Sequence, residues 1–379
     1  MKVLKKQLVS ELVEKTERLL ILINNENLGG VLLNSQHNFA WLTSGSNNGV
    51  DISRENGVSS LLIRNDGKKF LISNNIEMPR MLAEEVTEND FEPIVFNWEA
   101  DKINGNFVLE TAQGLLENNT NLATDTFFNN NFRVIESLIA KCRFQLTSGE
   151  IERIKQLGKD AGEIVGNIYE KISIGQTEIE ISNIVKFELG KCNINSVVTL
   201  VAADDRIAKF RHPIPTENVW KKVLMIVVCA KRDGLIVSLS RIFSVGDVSN
   251  DLRKRTNAVA KVHAQMMHET RPKVTAKYIF EITKNAYLDV GFAKEETKHH
   301  QGGACGYKTR DWVAHSSCNE QIQLNQAFAW NPSIAGTKSE ETFLVNDNGI
   351  GIITASPNFP TISTAIDGIN YQTPDILVL

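Results

Sequence analysis

His212 has the side-chain type needed for proton transfer near neutral pH. It lies in the segment FRHPIPTE, directly after Arg211 and four residues before Thr216. An imidazole can remove a proton from water and return it to a leaving group. Arg211 supplies a cation that can bind an anionic substrate. On these residues alone, His212 is either an acid–base catalyst or a loop histidine held by a hydrogen bond.

A second candidate segment, HHQGGACGY, combines two histidines with three glycines. We predict that His299 and His300 lie on a strand, where adjacent side chains point to opposite faces. Only one of the two is then expected to line a cavity, either as a catalytic or as a substrate-binding residue. Cys305, in the same segment, is either a small apolar filler or a reactive thiol.

Charged residues follow in the next two segments. Arg310 provides a planar, permanently charged group that fits a carboxylate or an oxyanion. The alternative is an internal ion pair with the adjacent Asp311 or with Glu340. Glu340 itself is expected either to bind a cationic substrate group or to stay partly protonated in a dry cavity. Asp311 is a further candidate for substrate binding, and Glu341 is interpreted as a bystander.

Three neutral residues complete the candidate site. Ser238 and Ser240 alternate along the apolar strand LIVSLSRIF, and Asn331 precedes a proline in WNP. We expect them to donate and accept hydrogen bonds to a substrate. No general-base signature lies next to Ser240, so we do not expect it to be a nucleophile.

Composition and charge limit the class of partner. The chain of 379 residues is 42% hydrophobic and 23% charged, and its formal net charge of −4 does not favour nucleic acid or a membrane surface. It contains no long apolar run and does not begin with a signal-peptide pattern, so we expect it in the cytoplasm. The five cysteines are scattered without a CxxC pair, which argues against a disulfide framework or a structural zinc site.

Element patterns divide the chain into two domains, since its length exceeds that of one ordinary core. In residues 1–143, an amphipathic helix at 3–23 precedes alternating strands and helices, with a hairpin around residues 65–67, which predicts a small α/β domain. Residues 144–379 combine four long helical patterns with strands that we expect to form a mostly antiparallel sheet. The predicted fold class is α+β.

Six segments of the chain occur in an informative order: CRFQLTSGEIERIKQLGKDAG, SIGQTEIEIS, FRHPIPTENVWKKVLMIVVCAKRDGLIVSLSRIF, HHQGGACGY, NQAFAWNPSIAG and SEETFLVNDNG. In this order they resemble the creatinase and aminopeptidase P family, and the resemblance covers essentially the whole chain. It implies a creatinase-like N-terminal domain followed by a pita-bread domain of the catalytic type. It also favours a homodimer.

The resemblance assigns roles to three of the candidates. His212 matches the histidine that contacts substrate in the metal-dependent peptidases and transfers protons in creatinase. His299 matches a histidine at the substrate site of the Xaa-Pro peptidases, which favours it over His300. Arg310 lies where the metal-dependent members have a second catalytic histidine.

The same resemblance predicts that the two-metal site is lost. In the metal-dependent members, two Asp, one His and two Glu hold two divalent ions. Those positions fall here on Val227, Ser238, Gly303, Asn331 and Glu340. Valine and glycine side chains provide no ligand atom, serine and asparagine are weak neutral ligands, and one carboxylate does not neutralise two dications. We therefore expect no metal and no other cofactor.

These observations predict a metal-independent hydrolase that acts on a small C–N bond, such as an amide, an amidine or a urea-like group. Water activated by His212 attacks, Arg310 and His299 hold an oxyanion or a carboxylate, and Glu340 holds a cationic group of a small-molecule or short-peptide substrate. Creatinase also works without metal. Creatine is not expected as the substrate here, because some of the positions that are carboxylates in creatinase are Ser240 and Asn331 in this chain. Two alternatives stay open: an inactive aminopeptidase P-like protein that binds a small molecule or peptide, and Xaa-Pro peptidase activity if the ligand positions are misaligned.

Overall fold

The computed structural model describes residues 2–117 and 121–379. The chain divides into two compact units, Met1–Gly149 and Glu150–Leu379. The boundary predicted after residue 143 lies slightly before this division, at the end of a helix. Within the described ranges, every helix is too short or too polar to cross a membrane.

The N-terminal unit is a mixed six-stranded sheet with helices, ordered β4-β3-β2-β1-β5-β6. Its helices are α1 Lys2–Asn25, α2 Gln36–Leu42, α3 Met78–Arg80, α4 Ala100–Ile103, α5 Phe107–Gly114 and α6 Glu136–Arg143, and its strands are β1 Gly30–Ser35, β2 Asn56–Arg64, β3 Lys69–Asn74, β4 Glu92–Phe96, β5 Leu122–Thr124 and β6 Arg133–Val134. The predicted hairpin is present as β2 and β3. Gly67 in its turn has a φ of +86°, which glycine adopts without strain. Leu32, Leu62 and Phe70 from three adjacent strands pack with Leu109 of α5 in the core.

The C-terminal unit combines long helices with two larger sheets. Its helices are α7 Ser148–Gly166, α8 Glu178–Gly190, α9 Arg206–Lys209, α10 Asn250–Glu269 and α11 Ala276–Asp289, and its strands are β7 Asn195–Ala203, β8 Val223–Arg232, β9 Leu235–Ser244, β10 Gly302–Cys305, β11 Trp312–Val313, β12 Ala327–Trp330, β13 Ser333–Ile334, β14 Thr337–Lys338, β15 Glu341–Asn346, β16 Gly349–Ile352, β17 Thr361–Ile366, β18 Ile369–Pro374 and β19 Ile376–Val378. One sheet has the order β19-β9-β8-β7 and the other β11-β10-β12-β15-β16. All their pairings are antiparallel except that of β19 with β9. The predicted α+β class is confirmed.

Two of the helices are fixed at their first residue by side-chain caps. Thr177 Oγ1 accepts the backbone N–H of Glu180, and the Glu180 carboxylate accepts the N–H of Thr177, which forms the complete capping box of α8. Ser249 caps α10 through the N–H of Leu252. Such caps satisfy backbone donors that a helix leaves unpaired and contribute about 1 kcal/mol each.

The register of β8 against β9 brings the candidate positions of these strands to one face. Val227 lies opposite Ser240, and Cys229 lies opposite Ser238. Because side chains alternate along a strand, all four point to the same side. The backbone N–H of Ser240 then donates to the carbonyl of Glu340, which joins β9 to the second sheet beside β15.

Candidate active site

Glu340 lies at the centre of a buried network of charges. Its carboxylate accepts Lys338 Nζ at 2.9 Å and Arg310 Nη2 at 3.1 Å. Ser240 Oγ donates to the same carboxylate at 3.3 Å. The side chains of Glu340, Lys338 and Arg310 are only 2%, 5% and 11% exposed. One carboxylate therefore faces two cations, and the cluster has an excess of positive charge.

The carboxyl group of Glu340 is ionised in this setting. Burial raises its pKa, but the charges and hydrogen bonds of Lys338 and Arg310 outweigh burial, so the net pKa is lowered. The partly protonated Glu340 expected from the sequence is therefore wrong. Two protein cations already hold its carboxylate, and its role in catalysis or in binding a cationic substrate group stays a prediction. The internal ion pair with Glu340 that was considered for Arg310 is present.

Ser238 fixes the second edge of the Arg310 guanidinium. Its Oγ accepts Arg310 Nη1 at 3.1 Å and donates to Cys229 Sγ at 3.2 Å. Ser238 and Ser240 thus make the neutral hydrogen bonds expected of them, but to protein groups. Burial raises the pKa of the Cys229 thiol, and it raises the pKa of Cys305 to about 12. Both thiols stay protonated at neutral pH, so neither is a ready nucleophile.

His212, His299 and His300 form a compact cluster of imidazoles. His212 Nε2 and His299 Nε2 are 3.0 Å apart, and the rings of His299 and His300 stack with centroids 4.4 Å apart. The strand predicted for the two adjacent histidines is wrong, because β10 begins only at Gly302. They precede the strand, so alternation does not separate them and both rings lie beside His212.

The pKa of each of these histidines is lowered. Burial is the main cause in all three, and the charge of Lys338 adds to it. The pKa falls to about 2 for His299 and to about 4 for His300. The imidazoles are therefore neutral at pH 7, and His212 can act as a base. His299 is buried, whereas His212 and His300 are partly exposed, so the cluster is open to solvent.

Arg211 contacts two protein groups, and its role in substrate binding stays a prediction. Its guanidinium pairs with the carboxylate of Glu295 and donates to Ser333 Oγ at 3.0 Å. These two contacts hold the loop directly before His212 in place. For Asp311, a backbone contact to the carbonyl of Ala304 fixes its place beside β10, and its role in substrate binding stays a prediction.

Asn331 lies next to the start of β10, since its backbone N–H donates to the carbonyl of Gln301. Its buried Oδ1 has no hydrogen-bond partner among the described residues, so it is available to a substrate donor. Glu341 points away from the site to Arg241, 2.9 Å distant, as expected of a bystander.

Two residues close to Glu340 were not singled out in the sequence. Lys338 lies two residues before Glu340, and this strand-like spacing could have indicated that both side chains reach one face. His263 is fully buried on α10. Its Nδ1 hydrogen-bonds with Ser339 Oγ at 2.8 Å, and the charge of Glu340 acts on its pKa. The sequence signal for it was weak because its helix neighbours include charged residues.

Residues 152–353 match the model of metallopeptidase family M24. They make up more than half of the chain. The chain belongs to metallopeptidase family M24. Membership places it among peptidase-type hydrolases, in agreement with the resemblance to the aminopeptidase P group.

Known M24-like proteins resemble the chain over nearly its whole length. An uncharacterized peptidase of Staphylococcus haemolyticus is 23% identical over 344 residues, covering 85% of this chain and 96% of the relative. An Xaa-Pro dipeptidase from Bacillus anthracis has a TM-score of 0.72 at 17% identity, covering 97% and 100% of the two chains. A dipeptidase from Mycobacterium ulcerans has a TM-score of 0.77 at 14% identity, covering 97% and 98%. The M24 chain thus has an N-terminal domain followed by the pita-bread fold.

The residues present do not fit the metal pair that the M24 name implies. A Cβ added to Gly303, at the position of the metal-binding histidine, would lie 1.8 Å from the carbonyl oxygen of Trp312. Val227 packs in an apolar cluster with Leu200 and Met225. The one remaining carboxylate, Glu340, is held by two cations that would repel dications. No step of the chemistry is therefore assigned to a two-metal centre.

Proposed function

We propose that this M24 protein is a peptidase-type hydrolase that cleaves the C–N bond of a small substrate bearing a carboxylate, without a two-metal centre. The observation that carries the proposal is the contact of 3.0 Å between the neutral imidazoles of His212 and His299. A hydrogen-bonded pair of this kind provides a base whose orientation is fixed by its neighbour.

The proposed reaction needs a base and a stabilised oxyanion. His212 takes a proton from water while the water oxygen forms a bond to the carbonyl carbon, and the C=O electron pair moves to the oxygen. The excess positive charge of Lys338 and Arg310 stabilises this oxyanion or a substrate carboxylate. The C–N bond then breaks, and the proton on His212 passes to the leaving nitrogen.

The excess charge also supports an anionic substrate. A buried cation without a counter-ion is costly, and Glu340 compensates only one of the two. A substrate carboxylate would supply the second negative charge. N-acyl, ureido and guanidino amino acids and short peptides combine such a carboxylate with a C–N bond.

An NMR turnover assay tests the proposal. N-acyl, ureido and guanidino amino acids and Xaa-Pro dipeptides would be incubated with the protein, each with and without a chelator. We expect turnover that is insensitive to the chelator, is lost in His212→Ala and is retained in His315→Ala, whose histidine is exposed. Chelator-sensitive cleavage of Xaa-Pro dipeptides would instead support metal-dependent peptidase activity and overturn the proposal.

One observation favours a second function, a binding protein without turnover. The Glu340 carboxylate is already bound by Lys338, Arg310 and Ser240 and has little capacity left for chemistry. In that case, line broadening of an anionic ligand without product would be seen. Arg310→Met would then abolish the broadening, whereas His212→Ala would leave most of it.

A further inference from the structure

The imidazole cluster is also a set of metal ligands. One ring nitrogen from each of His212, His299 and His300 lies within 4.8 Å of the others. Among residues 2–117 and 121–379, these three histidines are the one group of three or more histidine, cysteine or carboxylate ligands placed so that it could hold a metal ion. This cluster does not coincide with the two-metal position of the M24 family, which falls on Gly303 and the residues around Glu340.

We propose that His212, His299 and His300 bind a single transition-metal ion of the borderline class, such as Zn²⁺ or Ni²⁺. Imidazole nitrogen suits these ions, whereas Mg²⁺ and Ca²⁺ prefer oxygen ligands. Three histidines leave the ion at least one open position for water, a carboxylate or another ligand.

The distances require only a small adjustment. Two nitrogens bound to one tetrahedral Zn²⁺ are about 3.3 Å apart, given Zn–N bonds of about 2.0–2.1 Å. The two Nε2 atoms of His212 and His299, 3.0 Å apart, are close to that separation already. His300 is the ligand that must move. Its Nδ1 accepts a weak hydrogen bond from the backbone N–H of Gly302 at 3.3 Å. When Nε2 binds the metal ion, the ring proton moves from Nε2 to Nδ1. Nδ1 is then no longer an acceptor, and this hydrogen bond is lost.

The surroundings allow access but limit the affinity. His212 and His300 are exposed, so an ion enters from solvent without opening the fold. The cations Lys338 and Arg310 near the cluster repel it, and Glu340 attracts it. We therefore expect binding in the micromolar range, weaker than at sites that include carboxylates or thiolates.

Titration calorimetry with ZnCl₂ and NiCl₂ on untagged protein in the absence of substrate tests this site directly. We expect one ion per chain. Binding should weaken at least about tenfold in His300→Ala and be lost in the double variant His299→Ala/His300→Ala, since loss of even an outer partner of a metal ligand costs 10–100-fold. His315→Ala is the matched control and should bind as the parent does. Thermal unfolding of each variant verifies that it is folded.

Two results would overturn the site. One is the absence of saturable binding of either ion at millimolar concentration. The other is binding of equal affinity in the parent and in the folded double variant, which places the ion elsewhere. The measurement needs no turnover, so its outcome is independent of the proposed hydrolysis. If both proposals hold, the ion binds the nitrogen lone pair of His212 that would otherwise accept a proton from water. Zn²⁺ then inhibits the reaction.

Discussion

At the scale of single residues, side-chain charges surround the one carboxylate that the metal-dependent pattern retains. Lys338 and Arg310 lie on the one carboxylate that the metal-dependent pattern retains, and they neutralise Glu340 without any ion. Their excess positive charge keeps the site cationic, which the proposed hydrolysis needs for its oxyanion. In that proposal no metal lowers the pKa of a bound water, so the imidazole of His212 is the group expected to activate it.

Glu340→Gln should destabilise the protein strongly. The change leaves two cations without a counter-ion in a buried site, and removing one member of a buried ion pair costs about 3–5 kcal/mol. Denaturant unfolding followed by circular dichroism measures this loss. Asp205→Asn is the control, since it breaks an exposed pair with Lys209 and should leave the midpoint unchanged. Equal midpoints for Glu340→Gln and the parent would mean that the network contributes nothing to stability.

At the scale of elements, the strands around Gly303 close the space that a metal-binding side chain would need. Gly303 pairs with Val313 of β11 on one side and with Ala329 of β12 on the other. The position of a Cβ atom there falls on the Trp312 carbonyl. The packing of β10 therefore leaves no space at Gly303 for the histidine that the family resemblance places there.

Gly303→Ala should therefore cost at least about 3 kcal/mol, at the upper end of the cost of overpacking, because backbone atoms must move to admit the methyl group. Gly190→Ala, at the end of α8 in open space, is the matched control. It should be neutral or slightly stabilising, since alanine is the better helix former. Chemical denaturation of both variants measures the difference. A Gly303→Ala protein as stable as the parent would show that β11 is free to move away.

At the scale of the whole molecule, the sequence predicted the order of elements better than the contacts inside the site. The two-domain α+β fold followed from periodic patterns and from motif order, which depend on local sequence. The pairing of Glu340 with Lys338 and of Arg211 with Glu295 did not, since a buried charge pairs with whichever opposite charge the tertiary fold brings near. The stacking of His299 on His300 was missed because strand alternation was applied to residues that precede the strand.

The whole C-terminal unit should lose stability in acid through histidines that are buried as neutral groups. Burial lowers the pKa of His263 from 6.5 to about 3, so the folded state resists a proton that the unfolded chain accepts. Above pH 6.5 the histidine is neutral in both states, and the protein keeps its full free energy of unfolding. As the pH falls from 6.5 towards 3, the unfolded chain binds a proton that the folded state does not, and the free energy of unfolding drops by up to about 1.4 kcal/mol per pH unit. In His263→Asn, the free energy of unfolding should therefore fall less steeply with decreasing pH than in the parent, whatever its absolute value. Denaturant titrations at a series of pH values across this window measure both slopes. Parallel slopes would mean that His263 is protonated within the fold and that the charge of Glu340 outweighs its burial.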